Sequence, residues 1–228
     1  MDSVQEVARQ VTLGCDTERD KAIALHNYVR DHVKFGFTKY FDKATPEYTL
    51  SCGIGHCNPQ SQLMVALFRA IGLESYEHFT AIPNDILKGV FPSSTAWMLS
   101  LCPQLGHAYV DVKVDGVWYA IDSQVVDTPL LKAAQARLEK ENRSLGYGTR
   151  VGATNVWDGL SDAFSQFDPG MMIEDHGRVD DLEAYYSTRK YRNQVLGLRF
   201  NTVFRLTGAY IPPAINSYID DLRAAYAE

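Results

Sequence analysis

The run Cys57-Asn58-Pro59-Gln60-Ser61-Gln62-Leu63-Met64-Val65-Ala66-Leu67-Phe68-Arg69-Ala70-Ile71-Gly72 decides the fold. Asn58 has the side chain of an N-cap, and Pro59 suits the first helical position, where its missing N–H costs nothing. Gly72 supplies the stop. Between them Leu63, Leu67, Ala70 and Ile71 share one face with Met64 and Phe68 beside it, so the spacing predicts a helix buried on most sides. A central helix with a cysteine at its head follows.

Upstream, Ala22, Leu25, Val29 and Val33 recur at helical spacing after Thr17-Glu18-Arg19-Asp20, which has the form of a capping box. A first amphipathic helix is expected over 17–34. Residues 36–56 hold Gly36, Pro46, Gly53 and Gly55 without a period and read as a loop that delivers the chain to Cys57.

Downstream, Val110, Val112 and Val114 alternate with Asp111, Lys113 and Asp115, and Asp115-Gly116 is a type I′ turn signal. A two-residue loop there pairs 114 with 117, 112 with 119 and 110 with 121, gathering the valines with Val117, Tyr119 and Ile121 on the core face. The same register sets His107 opposite Gln124 and diagonal to Asp122, on the other face, at a separation of ~7 to 8 Å that an aromatic side chain spans. Tyr109 and Gln124 share that face and are candidate substrate-binding residues. Asp127 is the fallback partner for His107 if a bulge shifts the register.

These residues suit one chemistry. A thiol becomes a good nucleophile when ionised, and a helix N-terminus and a neighbouring imidazolium both favour the thiolate. Cys57 has the first, and His107 would act as base and ion-pair partner, with Asp122 fixing its tautomer. The backbone N–H of Cys57 would receive the oxyanion, with a second donor that the sequence does not identify. His56, next to the nucleophile, either contacts substrate or caps the turn. Two rival uses are a zinc site of Cys52, His56, Cys57 and His107, whose spacing is unusual for that metal, and a Cys52–Cys57 redox pair. Neither a metal nor a cofactor is expected.

The chain has 228 residues, 46% of them hydrophobic, and a formal net charge of -6, so it can bury a real core but offers no basic field for nucleic acid or anionic membrane. The start Met1-Asp2-Ser3-Val4-Gln5-Glu6 has no basic leader or apolar stretch, and no run approaches the roughly 18 apolar residues of a membrane span. A cytoplasmic protein is expected. Cys15, Cys52, Cys57 and Cys102 do not form a disulfide framework. Beyond the hairpin, 131–143, 179–192 and 213–226 read as helical, 195–206 as possible strand, and the glycine-rich stretch 144–178 as irregular, either a mobile cover over a site or a surface connection. Arg189, Arg192, Arg199 and Arg205 lie among Tyr185, Tyr186, Tyr191, Phe200 and Phe204 and read as ordinary helix surface and core ahead of a carboxylate or aromatic ligand site.

The stretch from about 17 to 125 resembles the transglutaminase-like superfamily, the papain-like thiol fold. The matching pieces are Lys21-Ala22-Ile23-Ala24-Leu25-His26-Asn27-Tyr28-Val29, Gly55-His56-Cys57, Ala66-Leu67-Phe68-Arg69-Ala70-Ile71-Gly72-Leu73, Gly106-His107-Ala108-Tyr109-Val110-Asp111-Val112 and Gly116-Val117-Trp118-Tyr119-Ala120-Ile121-Asp122. The resemblance implies an α+β fold with a central cysteine-headed helix on an antiparallel sheet, a nucleophilic Cys57, a base His107 and an orienting Asp122. Asn58-Pro59 departs from the aromatic often found after the cysteine in animal transglutaminases, Tyr109 stands where tryptophan is common, and no acidic calcium loop is evident, which argues against calcium-driven cross-linking. One compact unit is expected, with a catalytic core over 1–130 and a mostly helical elaboration over 131–228 that sets specificity. The expected activity is thiol-dependent hydrolysis of a peptide-like or small amide bond in a peptide or small-molecule substrate. Amide formation onto an amine is the enzymatic alternative, and a non-catalytic binding module on the same fold is the alternative of another class.

Overall fold

The computed structural model describes residues 3–195 and 197–225. Met1 and Asp2 of the leader reading, Leu196 of the expected strand and the last residue of the helix expected over 213–226 lie outside them. Leaving aside 3-10 turns and two-residue strands, the described elements in chain order are α1 (Val4–Val11), α2 (Glu18–His32), α3 (Pro46–Cys52), α4 (Cys57–Ala70), β1 (Ser75–Pro83), α5 (Ser93–Ser100), β2 (Gln104–Val114), β3 (Val117–Ile121), α6 (Thr128–Lys140), β4 (Glu174–Val179), α7 (Leu182–Ser187), α8 (Phe200–Leu206) and α9 (Ile211–Ala224). These four strands form one antiparallel sheet in the order β3-β2-β1-β4, beside three described two-residue pairs, one of which joins 34–35 in parallel to 54–55. This is the α+β architecture expected from the sequence.

Local chemistry explains the elements that carry the site. Thr17 caps α2, its hydroxyl accepting the Asp20 N–H at 3.0 Å. In α4 the helix begins at Cys57, one residue before the Asn58 cap read from the sequence: His56 is the capping residue, its side chain making no bond to the first turn, and Pro59 sits at the third position. Proline is tolerated there because the first-turn N–H groups have no intrahelical acceptor anyway. At the other end Gly72 adopts φ +85°, and the N–H groups of Gly72 and Leu73 return to the carbonyls of Arg69 and Phe68, a Schellman stop.

Nine of the fourteen residues of α4 are buried, because α1, α2 and α3 cover it on one side and the sheet on the other. Leu63, Met64, Leu67 and Phe68 pack with Val110, Val112, Val114, Tyr119 and Ile121 of the hairpin. Each such leucine cut back to alanine costs about 2–5 kcal/mol. The hairpin has the expected register, Val110 opposite Ile121 through Val114 opposite Val117, with Asp115 and Gly116 at φ +50° and +82°. Val117, grouped with the core face by parity, is 53% exposed because it lies at the hairpin tip. A second cluster, around Phe37, Phe41, Leu105, Tyr109, Phe167, Phe204 and Ile215, fills the opposite side of the sheet.

Several segments differ from the sequence reading. The supposed loop 36–56 contains α3, capped by Thr45, opened by Pro46 and closed by Gly53 at φ +65°. Residues 174–179, inside a stretch read as irregular and then helical, add the edge strand β4 to β1, with a register shift between Phe79 and Thr80. Helix α7 is correspondingly shorter than 179–192. Residues 200–206 form α8, and strand is confined to the two-residue ribbon Gln194–Val195 with Leu198–Arg199.

Candidate active site

Cys57 stands at the first position of α4, half-buried, where the positive end of the helix favours an anion. Its Sγ donates to Asn58 Oδ1 at 3.2 Å, while Asn58 Nδ2 is buried without a partner among the described residues. Turning the amide end for end sets Nδ2 against the sulfur, which suits a thiolate acceptor and removes the orphaned donor. The sequence reading took Asn58 for a cap; its contact with the sulfur was legible only in that it follows Cys57 directly.

His107 is delivered by β2, opposite Thr80 of β1, and is 2% exposed. Its Nε2 bonds Asp122 Oδ2 at 3.0 Å, and the ring also interacts with the Cys57 sulfur. Burial, the largest influence, works against a charged ring. The negative charge on Cys57, the hydrogen bonds to Asp122 and Cys57 and the charge on Asp122 together outweigh it and raise His107 from 6.5 to about 9. At neutral pH the imidazole is therefore held as imidazolium beside the sulfur.

Asp122 is fully buried, just past the end of β3. Besides His107 it accepts the backbone N–H groups of Gln166 at 3.1 Å, Phe167 at 2.7 Å and Ser165. The stretch read as a cover or connection thus supplies backbone donors to a buried carboxylate. Its Ala163 bridges Ile121, and Phe167 stacks on the His107 ring at 5.7 Å.

A second imidazole–carboxylate pair adjoins the first. His56, buried between Phe37 and Phe41 at centroid distances of 5.1 and 4.4 Å, donates Nε2–H to Asp42 Oδ1 at 2.7 Å. Asp42 is fully buried and also accepts from Tyr191 Oη and, at 2.9 Å, from Asn193 Nδ2. The partners are separated by 149 and 151 positions, so nothing in the sequence pattern joins them.

Tyr109 and Gln124 do not line the cleft as expected. Tyr109 stays on the His107 face, but its ring is stacked between His78 at 4.5 Å and Phe167 at 5.1 Å, and burial raises its hydroxyl well above the ordinary range. Gln124 never joins the ladder, because the N–H groups of Asp122 and Ser123 turn to Ala163 and Val125 N–H closes back on Asp122. It is fully buried, with neither amide atom paired among the described residues. Asp127 caps α6 and pairs with Arg223 at 2.6 Å, away from the role of fallback orienter. Cys52 points its thiol at the carbonyls of Thr49 and Ile54, all four cysteines are free, and no cluster of metal-ligand type occurs among the described residues. Arg192 pairs with Glu174 at 2.6 Å, Arg189, Arg199 and Arg205 are exposed, and Tyr185, Tyr186, Tyr191, Phe200 and Phe204 are buried, so these side chains form no common ligand site.

Cys57, His56 and His107 open into one cavity, with about 480 Å³ free of protein atoms and part of it reaching solvent. Gln166 and Asn193 complete its polar wall, and the rest is apolar. The family model described as "Transglutaminase-like superfamily" matches residues 5–123. The chain belongs to the transglutaminase-like superfamily. Three solved structures are similar to this superfamily member over part of its length. They are a candidate cysteine protease from Cytophaga hutchinsonii (18% identity, TM-score 0.41, covering 54% of this chain and 37% of that one), a candidate protease from Parabacteroides distasonis (14%, 0.36, 51% and 22%) and a TGase (19%, 0.35, 52% and 29%). The chain thus spans well under half the length of each. Among curated proteins there is no match. No helix among the described residues is long and apolar enough to cross a membrane.

Proposed function

We propose that this superfamily member is a thiol-dependent acyl-transfer enzyme working through a covalent acyl-enzyme. The Cys57 thiolate adds to a carbonyl, and the oxyanion is received by the N–H of Cys57 at the head of α4. His107, as imidazolium, gives its proton to the leaving group as the carbonyl–heteroatom bond breaks, leaving a thioester on Cys57. The neutral His107 then takes a proton from the incoming acceptor, which expels the thiolate and restores the starting state. Asp122 holds the ring in the tautomer both steps require. The acceptor proposed is water, so the net reaction is hydrolysis of a peptide-like or small amide bond.

The observation that carries this reading is the line from the half-buried Cys57 sulfur through the buried His107 to Asp122, with Nε2 and Oδ2 3.0 Å apart and the sulfur's charge favouring the imidazolium. A second reading, amide formation onto an amine acceptor, is favoured by one feature: His107 is 2% exposed beside a mostly apolar cavity, which limits water at the thioester.

Intact-protein mass spectrometry after exposure to acyl donors tests both. Mass is expected on Cys57 and is lost in Cys57→Ala, while Cys52→Ala keeps most of it. Release as acid supports hydrolysis, and release as amide when an amine is added supports transfer. If no donor adds mass and Cys57 alkylates no faster than Cys52, the fold serves as a binding module instead.

A further inference from the structure

We propose that the cavity beside Cys57 is an acyl pocket for an uncharged apolar group, aromatic or branched aliphatic, carried on the carbonyl carbon that the sulfur attacks. The proposal rests on the reading of Cys57 as nucleophile and adds what that nucleophile accepts. Five of the chain's ten phenylalanines, among them Phe37, Phe41, Phe91 and Phe200, line this one cavity together with residues such as Ile82 and Leu105. No Lys, Arg, Asp or Glu side chain lines it.

The polar side chains that do line it are already engaged. His56 Nε2 is held by Asp42, the Asn193 amide by Asp42 and the Gly106 backbone, and Gln166 Nε2 by the Gly148 carbonyl at 2.7 Å. Apart from the Cys57–His107 pair itself, an ammonium or carboxylate on the acyl group would therefore meet no free polar side chain in exchange for the water it loses, an unfavourable arrangement for a charge. An aromatic or branched hydrocarbon, by contrast, exchanges water for ring faces on several sides. Because Cys57 and His107 belong to the same wall as these rings, a carbonyl bonded to the sulfur projects its acyl substituent among them.

In the acylation step the sulfur–carbonyl bond forms, the bond to the leaving group breaks, and the leaving group departs with the proton from His107. The apolar acyl group stays in the cavity as the thioester until an acceptor bearing its own proton takes it. No oxidant or further reactant is required.

The test uses the full-length protein and N-acetylcysteamine thioesters of acetic, phenylacetic and glutaric acid, with rates of mass gain on Cys57 divided by each donor's rate with free cysteine. Phenylacetyl transfer is expected to exceed both acetyl and glutaryl transfer by roughly 100-fold or more. Equal rates for the three, or a preference for the charged glutaryl donor, would overturn the pocket while leaving the nucleophile intact. Failure of every donor, with iodoacetamide labelling Cys57 no faster than Cys52, would overturn the nucleophile and the pocket together.

Discussion

Asp122→Asn exchanges one oxygen for an NH₂ group in the most constrained part of the site. The carboxylate accepts from His107 Nε2 at 3.0 Å and from the N–H groups of Ser165, Gln166 and Phe167. Asparagine accepts with one atom only. If its NH₂ takes the Oδ2 position it faces the Phe167 N–H and His107; in the other orientation it faces Ser165 and Gln166. Either way two buried donors lose their acceptor at about 1–3 kcal/mol each. His107 can relieve its own clash by moving its proton to Nδ1, but then it presents a donor to the sulfur and no longer serves as base. The expected loss is about 3–5 kcal/mol in urea unfolding. Turnover, or Cys57 acylation in a single turnover, should fall by on the order of 10³ to 10⁴. A variant within ~1 kcal/mol of wild type that acylates at the wild-type rate would refute the assignment of Asp122 as the group that fixes the imidazole.

The His107 shift sets a pH dependence. Its folded value is raised from 6.5 to about 9, so its contribution is fully present below 6.5 and is lost as pH rises through about 9, worth about 3 kcal/mol. Urea unfolding of wild type and His107→Gln between about pH 6 and pH 10 should show that difference in slope, and parallel curves would contradict it. Glu77 is buried, its Oε1 unpaired, and burial followed by the charge on Asp42 raises it well above 4.5. Its neutral form is favoured in the fold, so stability drains away above pH 4.5 until the folded value is passed, by about 1.4 kcal/mol per unit. Glu77→Gln should therefore gain on wild type in urea midpoint between pH 5 and pH 7; an unchanged gap counts against a protonated Glu77. Asn58→Leu removes the amide that touches the sulfur and should slow iodoacetamide alkylation of Cys57 roughly tenfold, the value of one charge-assisted hydrogen bond. Equal alkylation rates would mean that the amide does not hold the thiolate.

The sequence carried the site wherever local rules decide the structure. Alternation at 110–114 and the Asp115-Gly116 turn set the register that brings His107 near Asp122, and the apolar spacing of 63–71 with Gly72 set α4. It failed where long-range partners decide. Gln124 was assigned to the cleft by extending a ladder that actually ends at Ile121, and the acceptor that draws the next N–H groups away, the Ala163 carbonyl, lies about forty residues further on. Asp42 looked like a loop residue because its partners His56, Tyr191 and Asn193 meet only in three dimensions. Helix α3 is a different kind of miss: Thr45-Pro46 and Gly53 are local start and stop signals, overlooked because the stretch between them has no apolar period.

The segment that defines the superfamily in this chain closes at residue 123, one position beyond the carboxylate, whereas the amides gripping that carboxylate belong to residues 165–167. The carboxylate that holds His107 is thus itself held from outside the shared segment. Lifting residues 5–123 into another scaffold would transplant the sulfur and both members of the acid–base pair yet leave the aspartate ungripped. Conversely, substitutions in the 163–167 strip, which grips Asp122 and stacks Phe167 on His107, would alter how that pair is held without changing a residue of the shared segment.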